Sequence, residues 1–363
     1  MTILFWLLAA FIFYTYAGYP LLLLVVSLFA GNPGKYEEPV LPSVSIVICA
    51  YNEERTVEKK IQNCLGLDYP KDKLEILIGS DGSTDKTDGL IKSFGGDGVK
   101  LYRSETRGGK PGMLNELVSR ARGEIIVFTD ARQSFDKMAL RALANSFFDE
   151  TIGSVSGELV LRGAEHSSIG GVSTYWNYEK FLRKLESKIS SMVGATGAIY
   201  AIRKKLFTPV PVDIILDDVF VPLKVVEKGF RAVFEPKALA YDDISKTAAA
   251  ESDRKKRTLA GNWQIFFRLP QMFNPFKSGV AIQLFSHKLL RVLMPFFLLA
   301  LFVDNAFLLD KMMYRVFFGL QSVFYLTALA GLKIPYAFCA LNIMAVQGFW
   351  AYVSKKQTAI WKS

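Results

Sequence analysis

The chain has 363 residues, 51% of them apolar, and its 44 Lys and Arg exceed its 34 Asp and Glu to give a formal charge of +10. Three cysteines without paired spacing (Cys49, Cys64, Cys339) and only two histidines (His166, His287) argue against a disulfide framework or a zinc site. The basic residues are dispersed and no recognition motif accompanies them, which excludes nucleic acid as a partner. The excess suits a face near anionic membrane lipid, or a di- or triphosphate ligand.

Residues 3–30 carry no charge and are long enough to cross a hydrocarbon core of about 30 Å. They lack the basic start and small-residue cleavage site of a signal peptide, and Pro20 lies inside them, so residues 1–30 read as a retained transmembrane helix. Residues 31–42, with a Gly-Asn-Pro-Gly turn and two further prolines, form a linker. An α/β domain is expected over 43–250 and an amphipathic interfacial segment over 251–291. Two or three transmembrane helices over 292–353, three being favoured, and a tail over 354–363 complete the chain.

Within the domain, residues 43–49 (SVSIVIC) form a strand apolar enough to be buried on both faces. Asn52 is placed to cap a helix carrying Val57, Ile61, Cys64 and Leu65 at helical spacing. A strand over 74–78, a helix capped by Ser83 or Thr84, a strand over 99–102, a helix over 113–121 and a strand over 124–128 follow. This alternation predicts a mostly parallel sheet wrapped by helices, with its ligand crevice at the carboxyl ends of the strands. Beyond it come a helix over 136–148, a strand over 154–161 and an aromatic helical stretch around Trp176. A strand over 198–202, a helix opened by Asp217-Asp218 and a basic helix over 246–264 follow.

Acidic clusters fall at those strand ends. The turn Ala50-Tyr51-Asn52-Glu53-Glu54 occupies the place where α/β nucleotide sites hold a base or ribose. Asp81, at the end of the second strand, is an acceptor for ribose hydroxyls or a pyrimidine imide. Together, in this order and spacing, they resemble the signature of the family 2 glycosyltransferases, whose soluble domain has the Rossmann-like GT-A fold of nucleotide-diphospho-sugar transferases.

The resemblance covers about 43–264 and implies roles. The turn 107–110 (RGGK) is similar to the family's basic turn and gives Lys110 a nucleotide contact, beside Ala50, Tyr51, Glu53 and Asp81. The run 124–130 (EIIVFTD) resembles the strand leading into the D-x-D motif, which makes Asp130 the ligand of a Mg2+ or Mn2+ ion. Arg132 stands where a second acid often sits, and a contact from Arg132 to the diphosphate is the other reading. Asp217-Asp218 resembles the paired-acid motif, with Asp218 as the base. Thr196 and Gly197 are similar to the acceptor-side loop, and Trp176 offers a stacking surface or simply packs in the core.

Arg254 and Arg257 match the arginines of the family's R-x-x-R-W sequence, but Thr258 replaces its tryptophan and Trp263 comes five residues later. A basic helix facing lipid headgroups accounts for the same residues. The implied function is inverting transfer of a sugar from a nucleotide-diphosphate donor, a uridine one, to a growing polysaccharide or lipid-linked glycan. The implied place is the cytoplasmic (inner) membrane, with the catalytic domain in the cytoplasm. The alternative is a non-catalytic nucleotide-sugar-binding or export subunit of a polysaccharide secretion complex. Four spans are few for a sugar-conducting pore, which points to a homo-oligomer, an export partner or a lipid acceptor. One conflict stands: three spans after a cytoplasmic domain send Lys355, Lys356 and Lys362 outside, against the positive-inside tendency.

Overall fold

A computed structural model describes residues 1–31, 40–163, 172–243 and 248–355, with the side chains of 172–176 and 248–251 outside the description. Most of the expected linker and tail therefore lies outside the described residues. The chain opens with helix α1 (Thr2–Phe29) and then enters an eight-stranded sheet. The strands are β1 (Val44–Ala50), β2 (Leu74–Asp81), β3 (Val99–Ser104), β4 (Ile125–Asp130), β5 (Ser134–Phe135), β6 (Ile152–Arg162), β7 (Tyr200–Arg203) and β8 (Arg231–Asp243), in the order β3-β2-β1-β4-β7-β6-β8-β5. The first four strands are mutually parallel. The expectation of a mostly parallel sheet holds for that half; β7 then runs antiparallel to both β4 and β6, and β5 antiparallel to β8.

Every residue of β1 is buried, because helices cover both faces of the sheet. On one face Ile46, Ile48, Ile76 and Ile78 pack with Val57, Ile61 and Cys64 of α2 (Val57–Leu65), Ile91 of α3 (Thr87–Lys92) and Leu140 and Leu143 of α5 (Ala139–Ser146). On the other, Val47, Leu77, Ile126 and Phe128 meet Leu114 and Leu117 of α4 (Lys110–Arg120) and Leu223 of α7 (Asp217–Glu227). Each fully buried aliphatic side chain contributes about 1.5–3 kcal/mol. Register places Cys49 beside Asp130 and Ala50 beside Ser80, so the acidic ends of β1, β2 and β4 share one edge.

Two sequence expectations are corrected. Asn52 does not cap α2, which begins at Val57 after Thr56. Its side-chain oxygen instead accepts the Thr84 amide at 2.9 Å, while its own amide donates to Ser83 Oγ at 3.1 Å. Ser83 and Thr84 likewise tie one turn to the other, and α3 starts three residues later, at Thr87.

The remaining helices are α6 (Val172–Ile189), α8 (Ala248–Arg268), α9 (Ala281–Ala306), α10 (Met312–Leu329) and α11 (Lys333–Val353). Among the described residues, α1, α9 and α11 are the three helices long and apolar enough to cross a membrane; α10 is shorter and interrupted by Arg315 and Gln321. A buried polar staple joins α1 and α9 to the domain. Tyr19 donates to Glu186 at 2.7 Å, and His287 sits between Glu186 (2.8 Å) and Glu179 (3.0 Å), which also pairs with Arg291.

Candidate active site

The turns after β1 and β2, expected on the donor side, are tied together by hydrogen bonds between loops. Glu53 donates its amide to Thr87 Oγ1 at 2.8 Å, and the Arg107 guanidinium lies over the Tyr51 ring at 3.7 Å. Ala50 is fully buried, so the structure leaves no surface of it open to a ligand. Asp81 is buried as well, and its two carboxylate oxygens accept the amides of Gly108 (2.7 Å) and Gly109 (2.8 Å). It holds the basic turn from behind. Gly109 has a φ of 82°, a left-handed conformation in which a side chain would be strained, and this lets the chain swing into α4 at Lys110.

Lys110 is the hub. Its ammonium lies 3.0 Å from Asp130 Oδ1 and 3.2 Å from Asp217 Oδ1, joining the end of β4 to the start of α7. Burial alone would lower its pKa, but Asp130 and Asp217 outweigh burial and raise it, so the charge persists. Burial would likewise raise the Asp130 carboxyl, and Lys110 and Arg132 hold it below its ordinary value. The buried Cys49 thiol faces Lys110, Asp217, Asp130 and Asp81 at once, and burial pushes its pKa up. Four carboxylates expected from the sequence therefore converge: Asp81, Asp130, Asp217 and Asp218.

Asp217 and Asp218 occupy the first turn of α7, where the helix amides favour anions. Asp217 is buried and accepts a hydrogen bond from Tyr200 Oη at 3.1 Å. Tyr200 is raised well above its ordinary pKa by burial and by Asp217, so its hydroxyl remains a donor. Asp218 is half-buried. Its Oδ2 accepts the Gly197 amide at 3.0 Å, while its carbonyl accepts the Ala195 amide at 2.8 Å. The loop expected on the acceptor side thus reaches the expected base directly through Gly197, with Thr196 buried beside it and its amide bonded to Ser156. Burial and then the Asp217 charge raise the Asp218 pKa to about 6, against the pull of Lys110.

Arg254 and Arg257 are half-buried on α8, and Thr258, in the place of the family's tryptophan, returns its hydroxyl to the Arg254 carbonyl at 3.0 Å. Farther along, α8 grips the approach to the paired acids. The Ile215 amide donates to Gln264 Oε1 at 2.9 Å, and Gln264 Nε2 donates to the Asp213 carbonyl at 2.7 Å. Trp263, five residues after Thr258, is buried and edge-on to Phe266 and to Phe349 of α11, so its ring packs in the core. The Trp176 side chain lies outside the described residues.

Three participants were not singled out from sequence. Tyr200 interrupts an apolar strand with a hydroxyl, a signal that a buried polar partner awaits it. Lys60, fully buried on α2, donates to Thr129 Oγ1 (2.9 Å) and to the Gln133 carbonyl (2.8 Å) behind Asp130; nothing in the helical pattern distinguishes it from a surface lysine. Asp242, on β8, accepts from Gln133 Nε2 at 2.9 Å and pairs with Arg132 Nε at 3.2 Å. A D-x-D ion would need oxygen ligands at Asp130 and at position 132. One Asp130 oxygen is engaged by an ammonium, position 132 is a guanidinium, and among the described residues no group of three or more acids, histidines or cysteines is placed to hold an ion.

Comparison with known proteins follows the same lines. Residues 45–208 match the model of glycosyl transferase family 2. The chain is 26% identical over 274 residues to "Probable glycosyltransferase YdaM" of Bacillus subtilis (strain 168), covering 71% of this chain and 64% of that protein. It is 26% identical over 236 residues to the "Poly-beta-1,6-N-acetyl-D-glucosamine synthase" of Staphylococcus aureus (strain COL), covering 63% and 56%. It therefore spans about 56–64% of the length of these curated relatives. Among solved structures, "Mannosyltransferase PcManGT from Pyrobaculum calidifontis in complex with GDP-Man and Mn2+" superposes with a TM-score of 0.77 at 22% identity, covering 98% of this chain and all of that one, which shows the GT-A fold.

Proposed function

We propose, from the premise that this chain carries a family 2 glycosyltransferase domain on a GT-A fold, that it transfers a sugar with inversion from a nucleoside diphosphate donor to a membrane-associated glycan or lipid-linked acceptor. The observation that carries this reading is the half-buried Asp218 carboxylate. It is oriented by the Gly197 amide at the start of α7 and lies within one charge network with Asp217, Lys110 and Asp130 at the carboxyl edge of the sheet. The acceptor hydroxyl gives its proton to Asp218 as its oxygen attacks the anomeric carbon. The bond from that carbon to the diphosphate oxygen breaks on the opposite side, and the nucleoside diphosphate leaves with the bonding electrons.

Ala50, Tyr51 and Glu53 border the base and ribose, with Asp81 setting the basic turn from behind. Thr196 and Gly197 are assigned to the acceptor, and Arg254 and Arg257 to the diphosphate, as the sequence resemblance implies. The donor is a uridine diphosphate sugar, as the sequence resemblance implies, and the product a polysaccharide or lipid-linked glycan, in keeping with the synthases among the relatives. Three apolar helices fit an integral protein of the cytoplasmic membrane whose catalytic domain faces the nucleotide-sugar pool. A homo-oligomer or an export partner would carry a long product across. The manganese of the similar mannosyltransferase supports a Mg2+ or Mn2+ requirement, whereas the donor set around Asp130 does not.

The test is Asp218→Asn in the full-length chain. Turnover of a panel of nucleotide sugars should fall by about 100- to 10,000-fold, the usual worth of a positioned base, while nucleoside diphosphate binding is kept. A variant that turns over near the normal rate would remove the base assignment.

A further inference from the structure

We infer that Lys110 and Arg132, and not a bound divalent ion, neutralise the diphosphate as it departs from this chain's site. The inference rests on the glycosyltransferase reading above. Its starting point is chemical. Where the D-x-D motif has a second acid, this chain has Arg132, and exchanging an acid for an arginine changes the local charge by as much as a divalent ion would bring.

The structure puts that charge to use. The Arg132 ion pair with Asp242 reaches 3.2 Å at Nε, and the side chain is 50% exposed beside the β4 edge, which leaves part of the guanidinium open to a ligand. Asp242 is itself buried and fixed by Gln133 at 2.9 Å, which anchors the stem of the arginine. A planar guanidinium held in this way matches the oxygens of a diphosphate.

Lys110 supplies the second charge. It is the first residue of α4, so the helix amides add to its field, and its ammonium already bridges Asp130 and Asp217. A dication brought to Asp130 would meet that ammonium at close range and would find a guanidinium where its second carboxylate should be. In the transfer step the anomeric carbon to diphosphate bond breaks, the electron pair goes to the leaving oxygen, and the acceptor proton goes to Asp218. The growing negative charge lies between two fixed cations, with no change of coordination needed.

The experiment measures binding of uridine diphosphate and guanosine diphosphate to the detergent-purified full chain by calorimetry, in EDTA and in Mn2+, with Mn2+ occupancy read separately by electron paramagnetic resonance. The inference expects the tighter nucleotide to bind equally well in both conditions, and Arg132→Gln to weaken it by about tenfold or more in both. Arg132→Asp, which restores the acid pair, should lose binding in EDTA and regain it in Mn2+ with a bound-manganese signal. Arg132→Lys, which keeps the charge without the fork, should fall between the unmodified chain and Arg132→Gln and guards against misreading a folding defect. Binding by the unmodified chain that collapses about tenfold in EDTA and returns with Mn2+ would overturn the inference. Failure of both nucleotides to bind in either condition would overturn the donor reading itself, and the inference with it.

Discussion

The base proposed at Asp218 must be ionised to work, and it sits in surroundings that resist ionisation. Burial comes first and the neighbouring Asp217 carboxylate second, together raising the pKa to about 6 although Lys110 pulls the other way. The sign follows directly. A raised carboxyl pKa means the proton-accepting form is lost as pH falls through about 6, so turnover should rise through that pH and level off above it. Asp217→Asn deletes the second cause and frees Lys110 to act more on Asp218. The acid limb of the kcat profile should therefore move to lower pH, even as the variant loses turnover from a misplaced Lys110. An acid limb that stays in place, or moves up, in the pH profile of Asp217→Asn would show that the pair is not coupled in this way.

At the scale of elements, α8 braces the approach to the proposed catalytic pair, Asp217 and Asp218, and one glycine lets it come close enough. A Cβ added at Gly261 would stand 2.5 Å from Leu216 Cγ and 3.3 Å from Ile215 Cβ, on the stretch that runs into Asp217. Gly261→Val must push α8 away from that stretch and tilt the start of α7. Displacements on the scale of an ångström cost up to about 100-fold in rate, so steady-state kinetics should show a turnover loss of that order with donor binding largely kept. Gly89→Ala, at a position with open space around it, is the control expected to leave turnover unchanged.

The brace also shows where sequence reading stops. Strands β1, β2 and β4 were legible because burial on both faces leaves continuous apolar runs, and the acids at their ends were legible because the family motif repeats them. The strand β8 was not, since Glu235, Pro236 and Lys237 break its pattern and its place is set by pairing with β6 across irregular register. The Gln264 contacts with the 213–215 backbone, and the burial of Trp263 against α11, depend on partners remote in sequence that no local pattern encodes.

Across the whole molecule, the last helix returns to the domain. Gly348 of α11 lies so close to α8 that an added Cβ would approach Leu259 Cβ to 2.6 Å; Phe349 meets Trp263, and Tyr352 stacks on Phe267 with centroids 5.7 Å apart. Since α8 is bonded to the 213–215 loop of the domain, this packing predicts that the end of α11 lies on the domain's side of a membrane. The start of α9 lies there too, through Ser190 with Gly279 and His287 with Glu186. An even number of crossings between these two points would put Lys355 beside the domain, where the positive-inside tendency wants it. This removes the conflict that three consecutive spans created, with α10, which is not among the described helices long and apolar enough to cross, as the one that need not do so. A cysteine placed at the exposed Ser354, in a Cys339→Ser background, should react with an impermeant maleimide in sealed vesicles under the same conditions as one placed at the exposed Lys59 of the catalytic domain. Labelling of Ser354→Cys from the opposite side to Lys59→Cys would mean that α11 crosses away from the domain and that its packing on α8 is not kept in the membrane.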